Sequence, residues 1–275
     1  MLTKAGRSLA EFVQRHDRDR YQTVLFAPAA RREALFALYA FNYEVARIRE
    51  SVREPMLGQI RLQWWREVID TAYGGGPVRR HEVAEPISKV ISEYGPTRAH
   101  FDRLMESRER DLDDTPFADM AALEDYAEGT SATLILLALE FLGASQAGAA
   151  AREVGIGYAL VGLLRAMPFH ARAGRSYIPA DLAARVGVDP RDYVLRPTPE
   201  LAAAVGEIAA RAERHLDETG RASRIAIPAL LPAVVARRYL QRLRKVGNNP
   251  YAPKLAAPDP LQVWSLLAAR VTRSF

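Results

Sequence analysis

The 275-residue chain contains no cysteine, which excludes disulfide bonds, thiolate metal sites and a cysteine nucleophile. Long apolar runs are also missing. The longest, residues 132–139, ends at Glu140 and is far shorter than the ~20 residues that a membrane-spanning helix needs. The first 20 residues hold no apolar core of the kind found in signal peptides. We therefore predict a cytoplasmic protein with no membrane-spanning helix.

Lysine is scarce, because arginine supplies all but four of the 38 basic residues. The net charge of +5 is too small for this length to indicate a nucleic-acid partner, and no zinc-finger spacing or glycine-rich phosphate loop supports one. Linkers, low-complexity runs and internal repeats are absent as well. The GGGP segment at 74–77 is typical of a loop between helices. We therefore predict one domain over residues 1–275 and no nucleic-acid partner.

Apolar residues recur with helical spacing along almost the whole chain, and no segment alternates as a hairpin strand does. Two predicted helices are apolar on nearly all sides, so we expect them inside a multi-helix bundle beside a central cavity. The second of them is expected to stop near Pro168. The pattern predicts an all-α fold of about ten helices, among them residues 34–48, 55–73, 85–93, 97–113, 120–142, 147–167, 201–220, 228–246 and 260–272.

Two segments resemble the squalene/phytoene synthase family of head-to-head prenyl transferases. Residues 31–41, RREALFALYAF, are similar to the family pattern R-x-A-x-x-A-x-Y-A-F, and residues 174–179, GRSYIP, are similar to G-R-x-Y-L-P. Between them, DYAEGT at 125–130 and WWRE at 64–67 also fit. The resemblance covers residues 15–245 and implies a single multi-helix bundle of the isoprenoid-synthase type.

The resemblance implies chemistry that depends on two aspartate-rich helical segments, which hold Mg²⁺ and a diphosphate leaving group. Both segments depart from the family pattern here. In the first, the aspartate positions are occupied by Ala46, Arg47 and Glu50. In the second, only an arginine is retained, and the six aligned residues are Ala159, Gly162, Arg165, Ala166, Phe169 and His170. We therefore expect no catalytic residue, no metal and no cofactor, with Mg²⁺ relevant only if the protein is a synthase after all.

Three groups of side chains remain as candidates for binding or structural roles. Residues nearest the family's pocket either maintain the fold or capture an anionic lipid head group; they are Tyr39, Asn42, Arg165, Arg175 and Tyr177. A basic segment is either the solvated face of a bundle helix or a membrane-surface helix; its candidates are Arg237, Arg238, Arg242, Arg244 and Lys245. The acidic cluster at Asp111, Asp113 and Asp114 is expected to be a solvated helix end.

The segments FNYE at 41–44 and IRLQWWRE at 60–67, together with the missing aspartates, resemble a non-catalytic branch of the family. That branch includes the mitochondrial assembly factor for respiratory complex I. The resemblance implies a peripheral factor on the inner face of the bacterial inner membrane, with complex I subunits or other assembly proteins as partners. Two alternatives stay open: a divergent prenyl transferase acting on allylic diphosphates, and a protein that binds a lipid or isoprenoid.

Overall fold

The computed structural model describes residues 4–189, 197–219 and 222–275, with no side-chain detail before Ser8. This part of the chain contains helices and no strand. The sixteen α-helices described are α1 Lys4–His16, α2 Arg18–Val24, α3 Arg32–Ala46, α4 Ile48–Ser51, α5 Pro55–Gly74, α6 Ala84–Tyr94, α7 Arg98–Glu109, α8 Met120–Ala127, α9 Thr133–Leu142, α10 Gly148–Arg172, α11 Ala180–Val186, α12 Pro199–Asp217, α13 Ile227–Leu230, α14 Pro232–Arg244, α15 Pro253–Ala256 and α16 Gln262–Thr272.

The two apolar helices predicted from the sequence lie at the centre of the bundle. In α9, only Leu136 and Glu140 retain appreciable exposure. Helix α10 packs against α9, α12 and α14, so it is surrounded by helices along most of its length. It is also the one helix of the described ranges that is long and apolar enough to cross a membrane, by length and composition alone. Its packing accounts for that apolar character, as in the core helix of a bundle.

A turn of π-helix, Glu128–Ala132, connects α8 to α9 and packs against both α7 and α10. A Cβ atom on Gly155 would lie 2.2 Å from the Ala132 Cα atom, and one on Gly129 would lie 1.9 Å from the Ser107 Oγ atom. Real Cβ atoms do not approach this closely, so both positions need glycine. The π turn is thereby fixed between its two neighbours, and it carries residues of the site described below.

The all-α prediction is confirmed, and several predicted bounds agree with the structure to within three residues. The prediction that α10 stops near Pro168 is wrong, because the helix continues to Arg172 with this proline inside it. A proline removes one backbone hydrogen bond, and the packing of α10 outweighs that loss. The predicted helix at 228–246 is two helices, since Pro232 begins α14. The predicted end at residue 220 lies outside the described residues.

Candidate functional site

A cavity of about 500 Å³ opens at one end of the bundle, between the start of α2, the end of α7, the π turn and the middle of α10. Polar and charged side chains cover most of its wall, while Ala159, Gly162 and Leu163 of α10 form a less polar side. The charged and polar residues that line it are His16, Asp17, Arg18, Asp19, Arg20, Arg108, Tyr126, Thr130, Ser131, Tyr158 and Arg165. Four arginines face two aspartates, so the wall carries a positive balance.

Arg20 is the central cation of this wall. Its guanidinium lies over two aromatic rings, 5.6 Å from the ring centroid of Tyr39 and 5.1 Å from that of Tyr158. It also donates to the Asp17 Oδ2 atom at 2.6 Å. Burial opposes the charge of Arg20, but Asp17, Tyr158 and Tyr39 together outweigh it and raise the pKa of the arginine. Burial also raises the pKa of Tyr158 to about 12, and that of Tyr39 further, so both phenols stay neutral.

Arg165, the one arginine retained from the second family segment, forms an ion pair with Asp19. The same aspartate accepts a hydrogen bond from the Gln262 side chain at 2.9 Å, so it joins α2, α10 and α16. Burial opposes the charge of Arg165, while Tyr158 and Asp19 raise its pKa. The side chain therefore stays charged, with its carboxylate partner already in place.

Asp111 lies behind the cavity, and its burial contradicts the prediction of a solvated helix end. Only 7% of the residue is exposed. Its carboxylate accepts from the Tyr126 hydroxyl at 2.6 Å and from Arg108 at 3.1 Å, and its carbonyl accepts from Arg175 at 2.8 Å. The sequence could not show this, because the 3-10 turn Arg110–Leu112 after α7 points this one carboxylate inward. Its neighbours Asp113 and Asp114 are half exposed, as expected.

Arg175, Tyr177 and His170 form one cluster with Asp111. The Arg175 guanidinium donates to the Tyr177 hydroxyl at 3.1 Å, and the His170 and Tyr177 ring centroids are 4.7 Å apart. Burial, together with the Arg175 charge, lowers the pKa of His170 to about 4 despite the opposing effect of Asp111. His170 is therefore neutral near pH 7. These three residues lie where α10 meets the turn before α11. The structure therefore brings them together, although they are distant from the residues of the first family segment.

Residues of the first segment line a different pocket from residues of the second, so the described part of the chain does not show the predicted central cavity between them. Arg47 is exposed, lies 5.3 Å from the Tyr43 ring centroid, and lines a separate pocket of about 410 Å³. That pocket also contains Trp64, Trp65 and His81. Glu50 is exposed and Ala46 is half buried. Asn42 is buried, and its Oδ1 atom has no hydrogen-bond partner in the described part of the chain.

The basic segment 237–245 belongs to α14 and the residue after it, and most of its charge is used inside the molecule. Four side chains have internal partners, which are Asp217 for Arg237, Asp259 for Arg238, the carbonyls of Lys254 and Ala257 for Arg242, and Glu213 for Arg244. Asp259 has a lowered pKa because Arg238 donates two hydrogen bonds of 2.8 Å to it. Lys245 alone extends into solvent without an ion pair in the described structure. The arginines of α14 therefore hold α12 and the segment 254–259 in place.

The conserved sequence pattern of squalene/phytoene synthases matches residues 13–264. The chain belongs to this family. Among curated relatives, the protein named NADH dehydrogenase (ubiquinone) complex I, assembly factor 6 of Bos taurus is 31% identical over 263 residues, covering 93% of this chain and 79% of that protein. The Homo sapiens protein of the same name is 30% identical over 258 residues, covering 91% and 77%. A presqualene diphosphate synthase of Rhodopseudomonas palustris is 28% identical over 177 residues, covering 62% of each.

Solved structures of the family share the fold. A dehydrosqualene synthase crystal structure superposes with a TM-score of 0.85 at 18% identity, covering 98% of this chain and 96% of that one. A squalene synthase from Alicyclobacillus acidocaldarius gives a TM-score of 0.76 at 18% identity, covering 90% and 95%. The isoprenoid-synthase fold predicted from the matched segments is therefore confirmed.

The family implies Mg²⁺, and the side chains present do not form a site for it. Within the described ranges, no group of three or more His, Asp or Glu side chains is placed to hold a metal ion. The carboxylates nearest the cavity are each bound to an arginine: Asp17 to Arg20, Asp19 to Arg165. Mg²⁺ needs several oxygen ligands at ~2.1 Å in octahedral geometry, and neighbouring guanidinium groups repel it.

The sequence analysis missed the contribution of residues 16–20, HDRDR, which precede the first matched segment. Residues of this run take part in two of the three ion pairs at the cavity, Arg20 with Asp17 and Asp19 with Arg165, and the third joins Arg108 to Asp111. The signal was available, since charges of alternating sign at the start of a helix place opposite charges three residues apart on one side. The run was overlooked because it lies outside the family's metal-binding segments.

Proposed function

We propose that this protein is a catalytically inactive member of the squalene/phytoene synthase family that acts as an assembly factor for respiratory complex I. The observation that carries the proposal is the pairing of the remaining carboxylates with arginines. Asp19 is bound by Arg165, Asp17 by Arg20, and Asp111 by Arg108. Carboxylates neutralised in this way cannot gather Mg²⁺, and without Mg²⁺ the departure of a diphosphate loses its main electrostatic stabilisation.

The similarity to complex I assembly factor 6 supports the second half of the proposal. It extends over more than nine-tenths of this chain for the Bos taurus protein, whereas the matched presqualene diphosphate synthase covers less than two-thirds. We propose complex I subunits or other assembly proteins as partners, no resident cofactor, and a peripheral location on the inner face of the bacterial inner membrane. The bundle then acts as a scaffold, and its former reaction chamber supplies a rigid surface.

The test is deletion of the gene in its native host, followed by complementation with the wild-type gene and with Glu50→Gln. Of the family's aspartate positions in the first segment, only Glu50 still carries an acidic residue, and it is exposed, so we expect the substitution to leave the fold unchanged. We expect deletion to lower assembled complex I on native gels and NADH-linked quinone reduction in membranes. Both genes should restore these activities, while the levels of carotenoids, hopanoids and squalene stay constant.

The opposite pattern supports a synthase. Normal NADH-linked respiration with a missing isoprenoid, restored by the wild-type gene but not by Glu50→Gln, would contradict the assembly role. Calorimetry with purified protein adds a direct measurement: we expect no saturable, Mg²⁺-dependent heat with farnesyl or geranylgeranyl diphosphate, and no product.

A specific observation favours a second candidate, the binding of an anionic amphiphile in the cavity. Among the described residues, the Ser131 Oγ and Arg108 Nε atoms are buried at the cavity without a hydrogen-bond partner. Buried polar atoms are normally satisfied, so a ligand with acceptor oxygens would complete them. The head group would lie against Arg108, and an apolar tail would follow Ala159 and Leu163.

Mass spectrometry of the native protein tests this second candidate. Gly162 lines the cavity and has no atom within 4 Å of its missing Cβ, so Gly162→Leu fills open space. We expect a copurifying anionic amphiphile that is lost in Gly162→Leu and kept in the control Ala149→Leu, which introduces the same side chain at the exposed start of α10. An empty wild-type protein, or equal ligand in both variants, would count against the cavity as its site.

A further inference from the structure

Helix α16 turns an apolar side toward solvent. Val263, Trp264, Leu267 and Val271 are 49%, 69%, 42% and 81% exposed, and their spacing places them on one side of the helix. The opposite side, with Leu266 and Ala269, is buried against the bundle. The helix is therefore apolar on both sides, although only one side is covered.

This clustering separates α16 from ordinary exposed apolar residues, which occur singly on most protein surfaces. Twelve large hydrophobic residues of the described chain are exposed, and five of them lie between Leu261 and Val271. A Trp side chain that is mostly exposed on an ordered helix is costly to leave in water. The side of α16 that carries these residues therefore has the character of a binding surface.

The charge around α16 identifies what covers it. From Arg237 to Phe275 the chain has eight basic residues and one acidic residue. Two of the basic residues, Arg237 and Arg244, are paired with Asp217 and Glu213 outside this stretch, so an excess of five positive charges remains there. The single acid, Asp259, is bound to Arg238. On α16 and just after it, Arg270 and Arg273 flank the apolar side, with no acidic residue nearby in sequence. An apolar strip beside a basic border complements the surface of an anionic bilayer.

We propose that this side of α16, the residues Val263, Trp264, Leu267 and Val271, docks the protein on a membrane that contains anionic lipid. The proposal deepens the proposed function, whose peripheral membrane location it assigns to one element. Tryptophan suits this place, because its ring prefers the boundary between acyl chains and head groups. A second copy of the chain fits less well, since a symmetric contact would bring two basic segments together.

The docking element is then α16 and not α14, whose arginines have internal partners. Helix α16 is also joined to the cavity. Its Gln262 side chain donates to Asp19 at 2.9 Å and to Gln22 at 2.8 Å, and Asp19 lines the cavity. A bilayer in contact with α16 would therefore lie next to the cavity opening.

The experiment is flotation of the full chain with vesicles of phosphatidylcholine alone and of phosphatidylcholine mixed with phosphatidylglycerol. We expect binding to the mixed vesicles that weakens as salt rises. Trp264→Ser with Leu267→Ser should lower the bound fraction by about tenfold or more, since two anchoring side chains are removed. Arg270→Gln with Arg273→Gln should weaken binding to the mixed vesicles only.

A control variant removes two exposed apolar side chains from a different helix. Met56 and Ile60 on α5 are 68% and 60% exposed, so Met56→Ser with Ile60→Ser should bind as the wild type does. Failure of the wild type to float with either vesicle, or unchanged flotation of the Trp264 and Leu267 variant, overturns the proposal. So does light scattering that shows a dimer which this variant converts to a monomer. These measurements on the purified protein do not report complex I levels in the deletion strain. The assembly role is therefore tested separately.

Discussion

At the scale of single residues, Asp111 connects three buried or half-buried polar side chains, although its sequence context predicted a solvated helix end. Its carboxylate is the buried counterion of Arg108 and the acceptor for Tyr126, and its backbone carbonyl binds Arg175. Losing one charge of a buried pair leaves the other uncompensated, which costs more than the pair itself contributes. The cavity wall therefore depends on a residue that does not line the cavity.

We expect Asp111→Asn to lower the free energy of unfolding by about 3–5 kcal/mol, because Arg108 would keep its charge without its partner. Asp114→Asn is the control, since this carboxylate is 54% exposed and its ion pair with Arg49 should contribute about 1 kcal/mol or less. Urea unfolding monitored by circular dichroism measures both. Equal losses for the two variants would show that Asp111 does not have this structural role.

His170 makes stability depend on pH in a direction that follows from its environment. Its pKa is about 4 in the folded protein and near 6.5 when unfolded, so between these values the unfolded chain binds more protons. Stability from this residue is complete above pH 6.5 and falls as the pH drops toward 4. At pH 4.5 the loss is about 2–3 kcal/mol.

We expect His170→Gln to flatten this dependence, because glutamine does not ionise. The measurement is the free energy of unfolding of wild type and variant at several values between pH 7 and 4.5. The free energy of unfolding of the wild type should fall relative to that of the variant as the pH is lowered. Parallel curves would mean that His170 does not titrate as its burial requires.

At the scale of helices, two glycines of α10 predict opposite effects of the same substitution. Gly155→Ala would place a methyl group 2.2 Å from the backbone of the π turn, so we expect a loss of about 1–3 kcal/mol or more as the helices separate. Gly162→Ala meets no atom within 4 Å, and the better helix propensity of alanine should add about 1 kcal/mol. Urea midpoints of the two variants decide this, and a shift of the same sign in both would contradict the packing described for the π turn.

Helix positions were predictable where the apolar period was strong and the ends carried glycine. Helices α5 and α9 end at Gly75 and Gly143, whose positive φ values are the left-handed conformation that closes a helix. Short helices such as α11 were not identified, because seven residues give too little periodicity. Pro168 led to a wrong prediction of where α10 ends, because the sequence shows only the local effect of a proline. In the structure, packing against neighbouring helices on several sides stabilises α10.

At the scale of the whole molecule, the sequence shows which residues each of the two family segments contains. It does not show how the two segments are placed relative to each other. The sequence located Arg165, Arg175 and Tyr177 near the former pocket, and the structure places Arg165 at the cavity and the other two in the adjoining cluster. It could not show that Arg47 faces a different pocket, since that depends on how α3 is rotated against its neighbours. Patterns fix which residues share a helix side, and tertiary packing decides what each side meets.

This separation predicts that restoring the lost acids does not restore a metal site. We expect the variant with aspartate at residues 46, 47, 166 and 170 to show no saturable Mg²⁺-dependent heat with farnesyl diphosphate. Its melting temperature should fall, because carboxylates added near buried groups lack partners. The variant with asparagine at the same four positions controls for size. Mg²⁺-dependent binding by the aspartate form alone would show that the two segments can face each other.

The hydrogen bond between Asp19 and Gln262 joins residues that are 243 positions apart. At about 5–20 residues per second, the ribosome adds Gln262 on the order of tens of seconds after Asp19. Arg165, the other partner of Asp19, appears in the interval between them. During synthesis, the charged mouth of the cavity therefore stays unfinished until the last helix emerges. Contacts of such long range slow folding and leave apolar surface exposed meanwhile. Until α16 is synthesised, the nascent chain therefore exposes apolar surface that can aggregate.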